Sequence, residues 1–387
     1  MKLLVISHKE TWVDPVSPTG YGTIGGFPFQ IKALSELFDE TRVAVPVRNP
    51  PAPEGMTALD GHHLSVIQLA EPAGNTITRK ITIWFWLIRH LALLWKSVKA
   101  SDVIHIPIPG DIGTIGLMIA LLQHKHLFVR HCGRWGVPSS FVDQFLQWFL
   151  VKIASKKNVV WATGGGFDPP SEANENIRWI FATSLEKHEL DNLTPATAWQ
   201  PGQILRLITI GGLRPGKNIS AAISSLPLIK KTCENVSLDI LGDGELHENL
   251  NALVERLNCA DIVTFHGNVE HKTVLELLSR SHLFVFPTLR EGFPKALLEA
   301  MACGLPVIAN PVSVIPYLVE KNQCGLLLKK PDAESIAAAV LQMIADHQRM
   351  KQMGENAHAA AETYTLENWR DLIREELEYA WCIQLRS

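Results

Sequence analysis

The sequence predicts an α/β protein built from two tandem, doubly wound parallel-sheet domains. Short apolar runs alternate with longer helical patterns along the chain, which is how a parallel sheet covered on both faces by helices reads. The alternation lapses at residues 192–202, which hold two prolines and no periodicity, and then restarts. A length of 387 residues suits two or three domains. In the first half, runs at 3–6, 41–45, 103–106, 126–130 and 159–162 read as buried strands, with 180–184 as the last. Helical patterns lie at 29–38, 83–99, 113–123 and 141–155, and a short helix is expected over 185–190. In the second half, strands are expected to begin at Leu205, Val236, Ile262, Leu283, Pro306 and Gly325, each followed by a helix. Residues 334–344 are amphipathic, and 356–377 read as mostly helical. The expected domains are 1–195 and 204–365, with 366–387 a terminal helix returning to the first. Ligands of such sheets bind outside the carboxyl ends of the strands, in a cleft.

Composition excludes several classes. At 47% hydrophobic and 19% charged residues, the chain can bury sizeable cores. A formal charge of −3 supplies no overall basic character of the kind nucleic acid demands. Cys132, Cys233, Cys259, Cys303, Cys324 and Cys382 are scattered without a C-x-x-C pair. That points to free thiols in a reducing compartment and away from a disulfide framework or a zinc site. The apolar run after Met1 is too short for a signal peptide, so the expected location is cytoplasmic. Residues 81–96 add a complication. A spanning helix needs ~20 mostly apolar residues, and Arg89 with His90 interrupts this stretch. It reads either as a helix packed on a sheet or as an interfacial contact with the inner face of a membrane through Trp84, Phe85 and Trp86.

The candidate chemistry centres on Glu291-Gly-Phe-Pro-Lys-Ala-Leu-Leu-Glu299, where two carboxylates flank a turn and a helix start after an apolar strand. Pro294 can open that helix at its first position and Gly304 can close it. Free N–H groups and the helix dipole make such a start an anion site. A second set, Ile210-Gly-Gly212-Leu-Arg214-Pro-Gly-Lys217-Asn218, places two cations after a glycine turn, without phosphate-loop spacing. Gly20-Tyr-Gly-Thr-Ile-Gly25 matches G-x-G-x-x-G but begins some thirteen residues after Ile6, too late for a dinucleotide fingerprint. What remains is Gly25-Gly26 ahead of a helix, a place where backbone can approach an anion. His131 ends a strand and is a candidate hydrogen-bond donor to a substrate, or a structural histidine. No Asp-x-Asp and no metal-spaced cluster occurs, so no metal is expected.

Gly242-Asp-Gly, Phe265-His-Gly-Asn268-Val269, Phe286-Pro-Thr and Glu291-x7-Glu299-Ala-Met-Ala-x-Gly-Leu-Pro-Val-Ile resemble, in order and spacing, the retaining GT-B glycosyltransferases of family 4. The resemblance covers most of 205–345 and is looser in the first half. It implies a sugar nucleotide held mainly by the second domain and an acceptor held mainly by the first. Glu299 would accept from ribose hydroxyls, and Glu291 would hold hydroxyls of the transferred sugar. N–H groups around Phe293 to Ala296 would meet the diphosphate, with Gly292, Pro294 and Lys295 in the same binding segment, and Asn268-Val269 would lie near the base. Lys217 would neutralise the leaving group and His131 would touch the donor sugar. At ~1.5 Å per residue, Glu299 lies roughly 7–8 Å beyond Pro294, which suits a ribose when the helix end holds phosphates.

Two positions depart from the family pattern. Gly212 stands where arginine is usual, leaving Arg214 to substitute, and Asn218 stands where glycine is common. The implied reaction is metal-independent hexose transfer with retention, best assigned to glucose from UDP-glucose, with no cofactor. The acceptor would be a saccharide or lipid-linked saccharide in exopolysaccharide synthesis. A sugar nucleotide 2-epimerase and a non-catalytic nucleotide-sugar-binding protein share the scaffold and are the alternatives.

Overall fold

The computed structural model describes residues 1–48, 52–53, 55–74 and 76–386. It forms two compact units, Met1–Ser184 with Leu366–Ser387, and Leu185–Thr365.

The first unit opens with β1 (Lys2–Ile6), β2 (Thr11–Val13), β3 (Tyr21–Thr23), α1 (Phe27–Ser35), β4 (Glu40–Arg48), β5 (Thr57–Ala58) and β6 (Leu64–Leu69). It continues through α2 (Thr76–Lys99), β7 (Val103–Ile108), α3 (Asp111–Leu122), β8 (His126–His131), α4 (Phe141–Ile153), β9 (Asn158–Thr163) and β10 (Ile177–Ile180). The parallel strands lie in the order β10-β9-β8-β7-β1-β4-β6, and β2, β3 and β5 extend the sheet from the end of β4. Strands are added first on the β4 side of β1 and then on the β7 side. The topological switch point therefore lies between β1 and β7, where loops 7–10 and 109–110 leave the sheet. The central strands are buried on both faces, so Leu3, Leu4, Val5 and Ile6 are all fully covered.

The second unit contains α5 (Lys187–Asn192), β11 (Leu205–Ile210), α6 (Ile219–Lys230), β12 (Val236–Leu241), α7 (His247–Arg256), β13 (Val263–Gly267) and α8 (His271–Ser279). Then follow β14 (Leu283–Phe286), α9 (Lys295–Ala302), β15 (Val307–Ala309), α10 (Ile315–Asn322), β16 (Gly325–Leu327), α11 (Ala333–Ala345) and α12 (His347–Ala361). Its sheet is all parallel, in the order β13-β12-β11-β14-β15-β16. That is the doubly wound dinucleotide-binding order, with the switch point between β11 and β14. The chain then returns to the first unit as α13 (Leu366–Trp381), which packs Trp369, Ile373 and Leu377 beside α1.

Several boundaries differ from the sequence reading. The last strand of the first unit is Ile177–Ile180, and residues 181–186 are irregular. The expected linker at 192–202 packs into the second unit: Ala196 N donates to Cys303 O at 2.8 Å, and Trp199 joins the core. The break between units falls at Ser184, ahead of the expected 195. Residues 356–377 are two helices, separated by a 3-10 turn at Glu362–Tyr364 and an extended Thr365. Pro294 is the N-cap of α9, one residue ahead of the expected first position. Gly304 closes that helix with φ +72.

The 81–96 stretch belongs to α2, which starts at Thr76. Its segment Ile81–Lys99 is long and apolar enough to cross a membrane by length and composition, yet one stripe of it is core. Trp86, Leu94 and Val98 are buried against the sheet, while Trp84, Phe85 and Ile88 are more than 60% exposed. Cys303 and Cys324 are deeply buried, and burial pushes each thiol up to about 12, so both are inert.

Candidate functional site

The site builds from the switch point of the second unit. β11 ends at Ile210, and Gly211 and Gly212 follow. Gly242, at the end of β12, has φ +121, and a Cβ there would lie 2.3 Å from Gly211 O. Only glycine lets these two turns approach so closely. Pro215–Lys217 form a 3-10 turn that ends on Asn218 in the left-handed region, φ +54. That backbone explains why glycine suits this position, and asparagine is among the side chains that tolerate it. Asn218 Nδ2 donates to Pro331 O at 2.8 Å and Pro287 O at 3.3 Å. Leu289 N and Thr288 Oγ1 both donate to Gly216 O, at 2.8 and 3.1 Å. These bonds lock the loop after β11 to the loop after β14.

The lock brings together two of the expected residues. The stem of Lys217 crosses Gly211, where a Cβ would meet its Cδ at 3.2 Å, and its ammonium lies 5.5 Å from the Phe286 ring centroid. Lys217 Nζ then reaches Glu291 Oε2 at 2.5 Å, with both side chains largely covered. An ammonium has three donors, so pairing with Glu291 leaves others for phosphate oxygens. Arg214 is exposed on the same loop, and a Cβ at Gly212 would come within 3.8 Å of its Nε. Its head group therefore returns to the space that a side chain at 212 would enter.

The 291–299 segment is held from behind. Ser313 Oγ donates to Gly292 O at 2.7 Å, and Asn310 Nδ2 donates to Thr288 O at 3.1 Å. Pro294 is the N-cap of α9 and makes no side-chain cap hydrogen bond, and the Lys295 amide donates to Phe293 O at 3.1 Å. Phe293 itself is half-buried. Asn268 is exposed and Val269 half-buried in the turn after β13, one strand beyond β12.

Glu299, one turn into α9, meets a partner that the motif does not contain. His271 Nδ1 lies 3.7 Å from Glu299 Oε1, and His271 Nε2 lies 3.5 Å from Glu189 Oε1 of α5. Burial works to neutralise His271, but the carboxylates of Glu189 and Glu299 outweigh it and raise its pKa above 6.5. Glu189 is held below the ordinary range despite its own burial, through His271 and the Glu186 amide. A raised folded-state pKa stabilises fully below the unfolded value and loses that contribution as pH rises through the folded value. His271→Gln is therefore expected to lower the melting temperature more at about pH 6 than at about pH 9. An equal loss at both pH values, by thermal unfolding, would show that His271 is not charged between these carboxylates.

In the first unit, His131 ends β8 with a fully buried ring. Its Nε2 lies 3.1 Å from Asp143 Oδ1 on α4, and Asp143 also accepts from Ser139 N at 2.8 Å and Gln147 Nε2 at 3.3 Å. Burial lowers the His131 pKa despite Asp143, so the ring is neutral near pH 7. Gly25, φ +80, and Gly26 precede α1, and Gly26 is its N-cap with no side-chain bond. The Gly20–Gly25 pattern is not a strand–turn–helix, because Tyr21–Thr23 form β3. Among the described residues no group of three or more His, Cys, Asp or Glu could hold a metal.

Residues 201–360 match the family model described as glycosyl transferases group 1. A curated amylovoran biosynthesis glycosyltransferase of Erwinia amylovora is 31% identical over 36% of this chain and 36% of its own length. A GDP-mannose-dependent α-(1-6)-phosphatidylinositol monomannoside mannosyltransferase of Mycobacterium tuberculosis is 28% identical over 80% of this chain and 79% of its own. The Anabaena protein HepE, solved in complex with UDP and glucose, superposes with a TM-score of 0.66 at 16% identity, covering 97% of this chain and 99% of that one. The fold is thus GT-B, and the residues that match the family model lie in the second unit.

Proposed function

We propose that the protein is a sugar nucleotide-dependent glycosyltransferase whose second unit holds the donor. The Lys217–Glu291 ion pair beside the uncapped start of α9, at the topological switch point, carries this reading. In this reading the Lys217 cation and the positive end of the α9 dipole hold the diphosphate, while Glu299, a helical turn along, accepts from ribose hydroxyls. Arg214 supplies a second cation to that diphosphate in place of an arginine at 212. Glu291 orients Lys217 and accepts from hydroxyls of the transferred sugar.

The reaction proposed is hexose transfer with retention and without a metal, from UDP-glucose first among donors. Its acceptor is a saccharide or lipid-linked saccharide of envelope or exopolysaccharide synthesis. The exposed aromatic face of α2 would then rest at the inner membrane surface. No carboxylate is proposed as a covalent nucleophile. The leaving phosphate assists deprotonation of the acceptor, and the cations and amides stabilise the charge that develops.

The test is nucleoside diphosphate release from UDP-glucose, UDP-N-acetylglucosamine, GDP-mannose and ADP-glucose, with and without a chelator. Turnover of one donor, with UDP-glucose favoured and no effect of the chelator, is expected. Absence of turnover with every donor would defeat the transferase reading, and chelator inhibition would defeat its metal independence.

A further inference from the structure

The first unit contains an apolar cavity of about 480 Å³ between α2, α3 and α4. That volume lies within the ~300–1,000 Å³ range of small-molecule sites. Ile83, Trp84, Leu87, Ile115, Val142 and Leu146 form its greasy wall. Its lining also holds polar residues near the switch point of the first sheet: Gly110 and Asp111 follow β7, and Ser139 and Asp143 precede or begin α4. Asp143 is the residue paired to His131, so the lining includes a member of that pair. The cavity thus offers polar groups to a head and a mostly apolar wall to hydrocarbon.

The outer rim continues the apolar wall into solvent. Phe85 and Ile88 on α2, and Phe141, Phe145 and Trp148 on α4, are each more than half exposed. The charge around this face is one-sided. The three helices α2, α3 and α4 carry six Lys and Arg against two Asp, a net of +4 in a chain whose total is −3. Arg89, Lys96 and Lys99 on α2 and Lys152 on α4 are exposed. Aromatics among exposed cations complement an anionic lipid surface, and a cavity opening within that face can draw a chain out of it.

We infer that this cavity takes a single hydrocarbon chain, alkyl or isoprenoid, from a membrane-borne acceptor, with the polar end of that acceptor held at Ser139 and Asp143. The inference rests on the lipid-linked acceptor reading and assigns it a place in the first unit.

Calorimetric titration with decyl β-D-glucoside below its micelle concentration, against methyl β-D-glucoside, tests it on the full chain. The decyl compound is expected to bind with a negative heat-capacity change and the methyl compound at least tenfold more weakly. Ile115→Trp fills the cavity and is expected to weaken decyl binding at least tenfold. Val142→Trp, at the exposed rim, does so without a buried substitution. Phe85→Glu, outside the cavity, should leave decyl binding unchanged while weakening attachment to phosphatidylglycerol vesicles. Decyl binding that survives both tryptophan variants, or that is lost only in Phe85→Glu, would place the chain on the surface and overturn the inference. Equal binding of the two glucosides would overturn it as well. Donor turnover by the unaltered protein separates the outcomes: turnover without decyl binding sinks the cavity alone, whereas no turnover sinks the transferase reading.

Discussion

Lys217→Ala is expected to lower kcat/KM by two to three orders of magnitude with the preferred donor, while the protein stays folded. The proposed role puts the ammonium beside charge developing on the leaving diphosphate, and losing one preorganised donor of that kind costs ~3–4 kcal/mol. Its side chain is 26% exposed, so the substitution opens no deep cavity. It does strand Glu291, whose carboxylate is 13% exposed and loses its 2.5 Å partner. Glu291→Ala should therefore cost a similar amount, and the double variant much less than the sum, because residues acting as a unit are non-additive. Lys217→Arg should recover only part of the rate, since a planar fork cannot reproduce the compact ammonium over Phe286. Steady-state kinetics of the four variants checks this, and a loss below fivefold for Lys217→Ala would remove the residue from the leaving-group role.

Trp369→Ala is expected to destabilise the first unit by about 3–5 kcal/mol, a large part of the ~5–15 kcal/mol that holds a domain together. Trp369 is fully buried among residues including Leu3, Phe38 and Phe128, and the Arg130 guanidinium lies 5.3 Å from its ring centroid. The final helix thus supplies core to a unit whose other elements end before residue 185. Leu372→Ala on the same helix, 40% exposed, should change stability by less than ~0.5 kcal/mol. Urea unfolding of both variants decides the matter: similar midpoints would mean that α13 is not part of that core.

Much of this was legible in the sequence where structure is local. Strands buried on both faces read as continuous apolar runs, and all six strands of the second unit appear near their expected starts. β10 was misplaced because Ile177-Arg-Trp-Ile180 alternates at the sheet edge, while the more apolar residues after it are irregular. The break at residues 362–365 contains neither glycine nor proline, so it carries no stop signal. Residues 192–202 looked like a linker because prolines mask what Trp199 does, which is to fill the second core.

The site divides in the same way. Lys217 and Glu291 stand out by their local turns, and their contact follows from the adjacency of β11 and β14. Glu189 and His271 were missed because neither belongs to a local pattern. Only the fold brings α5 and α8 to Glu299. The bond of His131 to Asp143 depends on α4 and is invisible in the strand that carries the histidine.

The proposal that the 291–299 segment clamps a nucleotide is tested most directly by calorimetric titration of UDP, GDP and ADP into the unaltered protein and into Glu299→Ala. One nucleotide, with UDP favoured, is expected to bind the unaltered protein. Loss of charge-assisted bonds to the ribose at ~1.5–3 kcal/mol should weaken it roughly 10- to 100-fold in the variant. No binding of any of the three, or equal affinity in Glu299→Ala, would contradict a donor clamp at this helix.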